Sequence, residues 1–467
     1  MENDMSTQFL KSTDKGLFFE FDAGPFVIDQ DVKITNKEGS KPAALDINSI
    51  TGASVTNFGA IAGEGKGLRA FVSESVIFND GGTISGTDVG IHMNGLVNSI
   101  INATFSKVSG DTAIKNVGFN SVINNFGTIE GSQTGVGIRD EGRDNLILNY
   151  AAIFGGTGIE VASEDVEIIN YGQIAGQTNA IVFEEDAVGG VVRNNGTITA
   201  IDEGTPVAII GNDTAQKVYN SGFITGETKL KGGDDLFDGR DGESGDVFGG
   251  SGNDTILGND TLNVFFGEGG DDSLEGGSGL DSLFGGAGND TLKAGAGDDE
   301  MRGGSGNDQL FGGQGQDFIK GGKGNDKILG GNQSDTLDGG AGADVIRGGK
   351  GMDQITGGAG QDTMFGGLGD DVFVFSSVND SKAARSDSDV IADFERGEDV
   401  IDVSALVELA PLSFVDAFSA SGEAELRVQS IQNGDALVLI DVDGDGETDS
   451  TIMVLNVGTL NADDFIL

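Results

Sequence analysis

The sequence lacks most of the residues on which conventional catalytic and cross-linked sites depend. Its 467 residues include no cysteine, no tryptophan and one histidine, His92. Without cysteine, disulfide bonds and thiol chemistry are excluded. A single histidine also excludes the H-E-x-x-H zinc site, and with it metalloprotease activity. His92 lies between Ile91 and Met93 in an alternating stretch, so we interpret it as a structural residue.

Positive charge and long apolar segments are scarce as well. The chain carries 27 lysine and arginine residues against 76 aspartate and glutamate residues, a net charge of −49. Such a charge argues against nucleic acids and anionic membrane surfaces as direct partners. No stretch of ~18 apolar residues predicts membrane insertion, and segment 1–16 lacks the apolar core of a signal peptide. Self-repulsion predicts an expanded chain unless cations neutralise the carboxylates.

Glycine is abundant, and its spacing is periodic. Between Gly249 and Val374 the chain consists of fourteen consecutive nine-residue units of the pattern G-G-x-G-x-D-x-U-x, where U is a large apolar residue. Asn263 replaces the aspartate in one unit, and the other thirteen keep it. Glycine allows sharp turns, and the x-U-x segment forms a short strand with its middle side chain inward. The pattern therefore predicts a parallel roll in which two units make one coil.

The sixth position of the repeat predicts a column of carboxylates along each edge of the roll. Neighbouring coils lie about 4.8 Å apart, so these carboxylates would repel one another without a cation. Carboxylate and carbonyl oxygens are the ligands that calcium prefers. The edge that contains Asn263 should be weaker at its start, and the edge of the odd-numbered units should be occupied more regularly. The expected ligands of several calcium ions are Asp254, Asp272, Asp281, Asp290, Asp299, Asp308, Asp317, Asp326, Asp335, Asp344, Asp353, Asp362, Asp371, Gly249, Gly285, Gly303, Gly321, Gly339 and Gly357.

A second, longer repeat runs from about Ala44 to Gly226. Copies such as NFGTIEG (Asn125–Gly131) and NYGQIAG (Asn170–Gly176) recur every 21–26 residues, each with a short alternating segment before and after it. Three short strands per repeat predict a right-handed parallel β-helix of about eight coils. The recurring asparagine suits a corner and predicts an internal ladder of side-chain amides. This pattern resembles the repeats of autotransporter passengers and filamentous haemagglutinin-like adhesins.

The nonapeptides and the C-terminal residues together resemble a known class of exported proteins. The nonapeptide resembles the calcium-binding repeat of RTX (repeats-in-toxin) exoproteins. Beyond it, the D-x-I-x-D-F…G-x-D-x-I-D pattern (Asp389–Asp402), the DxDGDG loop (Asp441–Gly446) and the tail 463–467 resemble the C-terminal module of serralysin-type metalloproteases. The resemblance implies an uncleaved type I secretion signal, a Gram-negative secretion apparatus as partner, and an extracellular or cell-surface location. Weak calcium sites of roughly 10⁻⁴–10⁻³ M would fill there.

The DxDGDG loop is open to two interpretations. Asp441, Asp443, Asp445 and Asp449 have the spacing that begins an EF-hand loop, with Gly446 at the turn. The twelfth position is Ile452 and not glutamate, so the loop is truncated. A further calcium site and a solvated hairpin turn are both compatible with this sequence.

These patterns predict an all-β protein with four segments. They are an N-terminal cap (1–43), a parallel β-helix (44–226), an RTX β-roll (227–374) and a C-terminal β module with the secretion signal (375–467). We expect no enzyme activity and no catalytic residues, because coils of 21–26 residues leave little chain for a cleft. The expected function is that of a secreted calcium-dependent structural protein, either self-assembling into a sheet, sheath or fibre, or adhesive.

The alternative function is polysaccharide binding or modification. A β-helix joined to RTX units also resembles the modular mannuronan epimerases, and β-helices serve pectin lyases. A lyase should carry a cluster of basic and acidic side chains on one β-helix face, whereas a lattice protein should have self-complementary surfaces.

Overall fold

The computed structural model describes residues 54–467, apart from 72, 73, 97, 203 and 408–411, and five strands before residue 54. Two compact units divide the chain, Met1–Ser251 and Gly252–Leu467. Nearly all regular structure in the described part is β, so the all-β class and the parallel solenoid are confirmed. The described helices are short 3-10 turns, none of them long or apolar enough to cross a membrane: Arg385–Asp387, Ser404–Leu406, Gln432–Gly434 and Ala462–Asp464.

The first unit is a stack of coils whose parallel strands form three faces, as the 21–26-residue repeat predicts. Face A comprises Gln8–Phe9, Phe26–Ile28, Ser54–Asn57, Val76–Asn79, Ser99–Asn102, Val122–Asn125, Leu146–Asn149, Glu164–Asn170, Val188–Asn194, Gln216–Asn220 and Leu236–Asp238. Face B comprises Lys33–Asn36, Ala60–Gly63, Thr83–Gly86, Lys107–Ser109, Thr128–Glu130, Thr197–Ala200 and Phe223–Thr225. Face C comprises Leu17–Phe19, Ala43–Ile47, Lys66–Ala70, Val89–Met93, Thr112–Asn116, Val136–Asp140, Val207–Ile210, Glu227–Gly232 and Val247–Ser251. The long strands Ala152–Val161 and Gln173–Phe183 pass through both face B and face C.

Each coil buries the same apolar positions. Ile84 pairs in parallel with Ile61 before it and with Val108 after it, and all three side chains are fully buried. The parallel pairing begins early, since Phe26–Ile28 already pairs with Ser54–Asn57 inside the segment predicted as a cap. The unit ends at Ser251, beyond the expected end of the β-helix. The domain limits drawn from the sequence stay predictions.

A ladder of buried asparagines lines the corner between faces A and B. The Nδ2 of each asparagine donates to Oδ1 of the asparagine one coil later, at 2.7–2.9 Å. Because the amide has both a donor and an acceptor, it can bond to the coils on either side. The predicted amide ladder is therefore confirmed; its members are Asn57, Asn79, Asn102, Asn125, Asn149, Asn170, Asn194 and Asn220.

The second unit begins with the nonapeptides, which form two columns of parallel strands. The odd column comprises Thr255–Leu257, Ser273–Ser278, Thr291–Ala296, Gln309–Gln314, Lys327–Asn332, Val345–Lys350 and Thr363–Leu368. The even column comprises Val264–Gly269, Ser282–Ala287, Glu300–Ser305, Phe318–Lys323, Thr336–Gly342, Gln354–Gly360 and Val372–Val374. The apolar residue at the eighth position of every unit, from Ile256 to Phe373, is at most 2% exposed.

The C-terminal residues extend both columns. Asp389–Ile391 pairs in parallel with Thr363–Leu368, and Val400–Asp402 with Val372–Val374. An antiparallel group closes the odd column, and the strand Phe465–Ile466 closes the even one. That antiparallel group consists of Glu425–Ser430, Ala436–Asp441 and Ser450–Val454, and Ser413–Phe414 pairs in parallel with the first of them.

Candidate metal centres

The turns between the short strands of the roll require glycine. In one typical unit Gly304 and Gly306 have φ angles of 114° and 128°, a region that side chains with a Cβ rarely adopt. A Cβ on Gly306 would also lie 1.9 Å from the carbonyl oxygen of Gly288 in the preceding coil. These glycines therefore bring backbone carbonyls of successive coils close together along both edges.

The aspartates at the sixth position form two buried columns, as the sequence predicts. Each of the thirteen is at most 3% exposed. Within the second unit, Oδ1 of each column aspartate from Asp272 onward accepts a hydrogen bond from a backbone N–H eighteen residues earlier, at 2.7–3.0 Å. The N–H comes from another column aspartate in all cases except that of Asp281, whose donor is Asn263. The backbone therefore fixes each carboxylate in one orientation.

The second carboxylate oxygen of these residues has no hydrogen-bond partner within the described part of the chain. Burying an ionised oxygen without a partner is costly, so a cation is expected to face it. The atoms concerned are Oδ2 of Asp272, Asp281, Asp290, Asp299, Asp308, Asp317, Asp326, Asp335, Asp344, Asp353, Asp362, Asp371 and Asp389.

The space beside the first glycine of each unit is where these oxygens converge. A Cβ placed on Gly303 would lie 2.3 Å from Oδ2 of Asp308 and 2.7 Å from the carbonyl oxygen of Gly321. Gly285, Gly321 and Gly339 have the same surroundings in their own coils. At Gly357 only Asp362 is close, and Gly249 lies buried in strand Val247–Ser251 of the first unit. Oxygens that converge without a donor fit a hard cation such as calcium.

Burial dominates the electrostatics of the columns. It raises the pKa of Asp272, Asp335 and Asp344 to about 7, and neighbouring carboxylates raise it further against the effect of the backbone hydrogen bonds. The pKa of Asp389 rises to about 8 for the same reasons. A cation beside Oδ2 would favour the ionised form and oppose this shift. The residues present therefore fit calcium.

Two column residues lie beyond the regular repeats and were missed in the sequence. Oδ1 of Asp389 accepts from the N–H of Asp362 at 2.9 Å, and Oδ1 of Asp399 accepts from the N–H of Asp371 at 3.0 Å. Both are at most 3% exposed. The signal was present, because each lies two residues before a buried isoleucine, as every repeat aspartate lies two residues before its apolar residue.

The DxDGDG loop connects the antiparallel strands Ala436–Asp441 and Ser450–Val454. Oxygens of Asp441, Asp443 and Asp449 lie within 4.8 Å of one another. Asp445, which the spacing also suggested, is not in this group; its carboxylate is exposed and accepts from the N–H of Glu447 at 2.8 Å. Asp441 is fully buried and accepts from the N–H groups of two loop glycines. Both interpretations of the loop, turn and cation site, therefore stay open.

A second cluster of charged side chains lies on face C of the first unit. Parallel pairing places Asp46, Arg69, His92, Lys115, Arg139 and Glu160 in one row, which we call the ionic row. Arg69 pairs with Asp46, Arg139 pairs with Glu160, and Glu141 accepts from both Lys115 and Arg139 at 2.7 Å. The sequence alone did not reveal this row, because its members are 21–24 residues apart.

His92 lies at the centre of the ionic row. Its Nδ1 is 2.6 Å from Nζ of Lys66, and its ring meets the ring of Phe71 edge-on with centroids 5.0 Å apart. Burial, and then the charges of Lys66, Lys115 and Arg69, lower the pKa of His92 to about 4. Burial also lowers the pKa of Lys66, for which no carboxylate lies within ion-pair distance among the described residues. His92 is therefore a neutral ring among cationic side chains at neutral pH.

The C-terminal part of the chain is similar to known proteins. Residues 243–467 match the profile of the family described as Peptidase M10 serralysin C terminal. The metalloprotease AprA of Pseudomonas entomophila (strain L48) is 35% identical over 99 residues, which is 20% of this chain and 20% of that protein. The chain thus spans a fifth of the length of this relative. The resemblance of the C-terminal module to serralysin-type proteins is confirmed for these residues.

Two solved repeat subunits of a mannuronan C5-epimerase from Azotobacter vinelandii are also similar to part of the chain. The AlgE6R2 subunit is 28% identical, with 32% of this chain and 91% of that subunit covered at a TM-score of 0.26. The AlgE6R3 subunit is 22% identical, with 45% of this chain and 81% of that subunit covered at a TM-score of 0.16.

Proposed function

We propose that this protein is a secreted, calcium-stabilised structural or adhesive protein without catalytic activity. The observation that carries this proposal is the pair of buried carboxylate columns, in which the Oδ2 atoms from Asp272 onward lie near backbone carbonyl oxygens and accept no hydrogen bond within the described part of the chain. Calcium at these positions would link each coil to the next. The chain would then fold where calcium is plentiful, which is outside the cell.

Export fits the same chemistry. The serralysin-type C-terminal match supports a type I secretion signal in residues 375–467. In a chain without cysteine and with a net charge of −49, the carboxylate-rich second unit would stay extended while calcium is scarce. Calcium would then act as the trigger of folding on arrival.

An exposed aromatic stripe supports association through the first unit. Phe126, Tyr150 and Tyr171 follow ladder asparagines in successive coils, and their rings stack in parallel with centroids 4.7 and 5.0 Å apart. Each is 42–51% exposed, and Phe105 in the preceding coil is 95% exposed. Contiguous exposed apolar surface of this kind is typical of interaction sites. We assign self-assembly or adhesion to this stripe.

Calcium-dependent light scattering and electron microscopy test the assembly. Wild-type protein titrated from chelator into millimolar calcium should form ordered sheets or fibres. The double variant Phe126→Ser/Tyr150→Ser should bind calcium normally and assemble poorly, while Met352→Ser, an exposed apolar residue of the second unit, should behave as wild type. A wild-type protein that folds with calcium but stays monomeric at high concentration contradicts self-assembly.

The ionic row favours a second candidate function, binding of a carboxylated polysaccharide. Lys115 and Arg139 offer cationic groups one coil apart on face C. Lys66 lies on the same face two coils before Lys115, with the ring of Phe71 beside it. Carboxylates spaced along an extended sugar chain would complement such a row. This is the cluster of basic and acidic side chains that a polysaccharide-acting β-helix should show.

Polygalacturonate and neutral dextran distinguish this candidate. In the presence of calcium, the wild-type protein should bind polygalacturonate more strongly than dextran. The double variant Lys66→Gln/Lys115→Gln should lose that preference. Lys217→Gln on face A is the control for a lost positive charge. Equal retention of both polymers by wild type contradicts the candidate, and appearance of unsaturated products would make the protein a lyase.

A further inference from the structure

Two turns of the chain share an unusual sequence and hydrogen-bond pattern. They are Asn212–Gln216 (NDTAQ) in the first unit and Asn259–Asn263 (NDTLN) in the second. In each, the first asparagine accepts from the backbone N–H of the threonine, at 3.0 and 2.8 Å, and from its hydroxyl, at 2.8 and 2.6 Å. The last residue of each turn is an amide, and Asn263 holds the position at which the other nonapeptides carry aspartate.

The Asn263 amide lies among oxygens that would otherwise face a cation. Its Nδ2 donates to the carbonyl oxygens of Thr261, Asn259 and Gly276 at 2.6, 3.2 and 3.2 Å, and to Oδ1 of Asp281 at 2.9 Å. An amide nitrogen has two hydrogens, so four acceptors share them. A cation site needs several acceptor oxygens that converge on one point. Here the two N–H groups of the amide satisfy these oxygens in place of a cation.

The next coil on the same edge shows the contrast directly. A Cβ placed on Gly258 would lie 2.9 Å from Nδ2 of Asn263 and 2.4 Å from the carbonyl oxygen of Gly276. A Cβ placed on Gly276 would lie 2.4 Å from Oδ2 of Asp281 and 2.8 Å from a carbonyl oxygen. Asn263 therefore presents a donor at the place where Asp281 presents an unpartnered, buried acceptor.

Gln216 shares only part of this arrangement in the first unit, because a Cβ placed on Gly211 would lie 2.4 Å from its Oε1, an acceptor. Its Nε2 donates to Oδ1 of Asn212 at 2.7 Å, to Oγ1 of Thr214 at 3.0 Å and to the carbonyl oxygen of Thr214. Its backbone N–H donates to Oδ1 of Asp235 at 2.6 Å, as the aspartates of the roll do to one another. The backbone N–H of Gln216 thus donates to a buried aspartate, and the backbone N–H of Asn263 does the same.

We propose that Asn263 takes the place of a calcium ion at the first position of its carboxylate column. This inference rests on the proposed presence of calcium in the columns. The turn that carries the amide is complete without metal, so a calcium-dependent column begins on a calcium-independent turn. The edge that contains Asn263 is not a weakened calcium site at its start but a site built for an amide.

The isosteric variant Asn263→Asp tests the inference in the full-length protein. Bound calcium is counted by equilibrium dialysis and elemental analysis, and thermal unfolding is followed in chelator and in millimolar calcium. Asn263→Asp should bind one more calcium ion per chain than wild type, unfold at a lower temperature in chelator, and recover in calcium.

The matched control is Asn289→Asp, which makes the same change at an exposed position that Asp271 and Asp298 occupy in other coils. It should leave the calcium count unchanged. Asn263→Ala removes the donors without adding charge, so it should lower stability in both conditions and bind no extra ion. If wild type binds calcium but Asn263→Asp binds the same number, the inference is overturned. If wild type binds none, the calcium proposal itself fails.

Discussion

The backbone N–H of Asp272 donates to Oδ1 of Asp290, eighteen residues later, at 2.9 Å. One oxygen of Asp290 is thus held by the preceding coil, and only Oδ2 is left for a ligand. The carboxylate is therefore oriented by the peptide backbone before any ion arrives. The same hydrogen bond recurs along both columns, so unfolding of one coil removes the N–H group that orients the carboxylate of the next coil. We therefore expect calcium binding to be cooperative.

Calcium removal should unfold the second unit and spare much of the first. The roll depends on carboxylates without donors, whereas the first unit has an apolar core and an amide ladder that are satisfied without metal. Limited proteolysis in chelator should therefore cut rapidly after Gly252 and leave fragments of the first unit, and millimolar calcium should protect both. Equal protection of the second unit in chelator contradicts the role given to calcium.

Replacing Asp299 by asparagine should weaken calcium binding with little change in shape. The amide keeps an oxygen for the N–H of Asp281, at 3.0 Å in wild type, but loses the charge beside the proposed ion. Loss of outer-shell partners alone costs ~10–100-fold in metal affinity, so we expect at least that loss. Calorimetric titration measures it. Asp298→Asn, the same change at the exposed neighbouring position, should bind as wild type.

Replacing Asn125 by alanine should destabilise the first unit. Its Nδ2 donates to Asn149 and its Oδ1 accepts from Asn102, both at 2.8 Å inside the core. Each polar group left unpartnered costs about 1–3 kcal/mol. Scanning calorimetry should show an earlier transition for this unit, with the calcium count unchanged. Asn195→Ala, one residue beyond a ladder position and exposed, should shift that transition little.

Because the chain has a single histidine, its titration can be followed without overlap from other histidine signals. Its one Cε1–H signal should titrate near pH 4 in the folded protein, because burial and the charges of Lys66, Arg69 and Lys115 outweigh the opposing charge of Glu141. A base whose pKa falls on folding stabilises the fold above its unfolded value, so this contribution is lost as pH falls from 6.5 towards 4. Lys66→Gln should raise the midpoint. A wild-type midpoint at the ordinary value contradicts the packing around His92.

Much of this architecture could be predicted from sequence because solenoids repeat their contacts at fixed intervals. The eighth-position apolar residue and the corner asparagine each recur in every coil, so periodicity alone placed both in the interior. Asp389 and Asp399 were not predicted as column residues, because segments of irregular length precede them. A strict nine-residue count cannot be continued across such segments. Their D-x-I spacing was the remaining signal.

The other differences arise from contacts that no local pattern encodes. Asp449 joins Asp441 and Asp443, as the EF-hand count allows, whereas Asp445 of the same count lies outside this group. The ionic row depends on which outward residues meet across coils, and that requires the register of face C. The sequence suggested a weak calcium site at Asn263, but the direction of its amide became visible only with its neighbours in place.

The asparagine ladder has a direction, because each amide donates only towards the C-terminal end. At its N-terminal end Oδ1 of Asn57 is buried without a donor among the described residues, and the backbone register there pairs Asn57 with Ile28. If a whole coil were inserted or removed, each ladder asparagine would still donate to the asparagine of the next coil. The length of the first unit is therefore adjustable in single coils, whereas the roll can change only by pairs of nonapeptides, since an odd number would exchange its two edges.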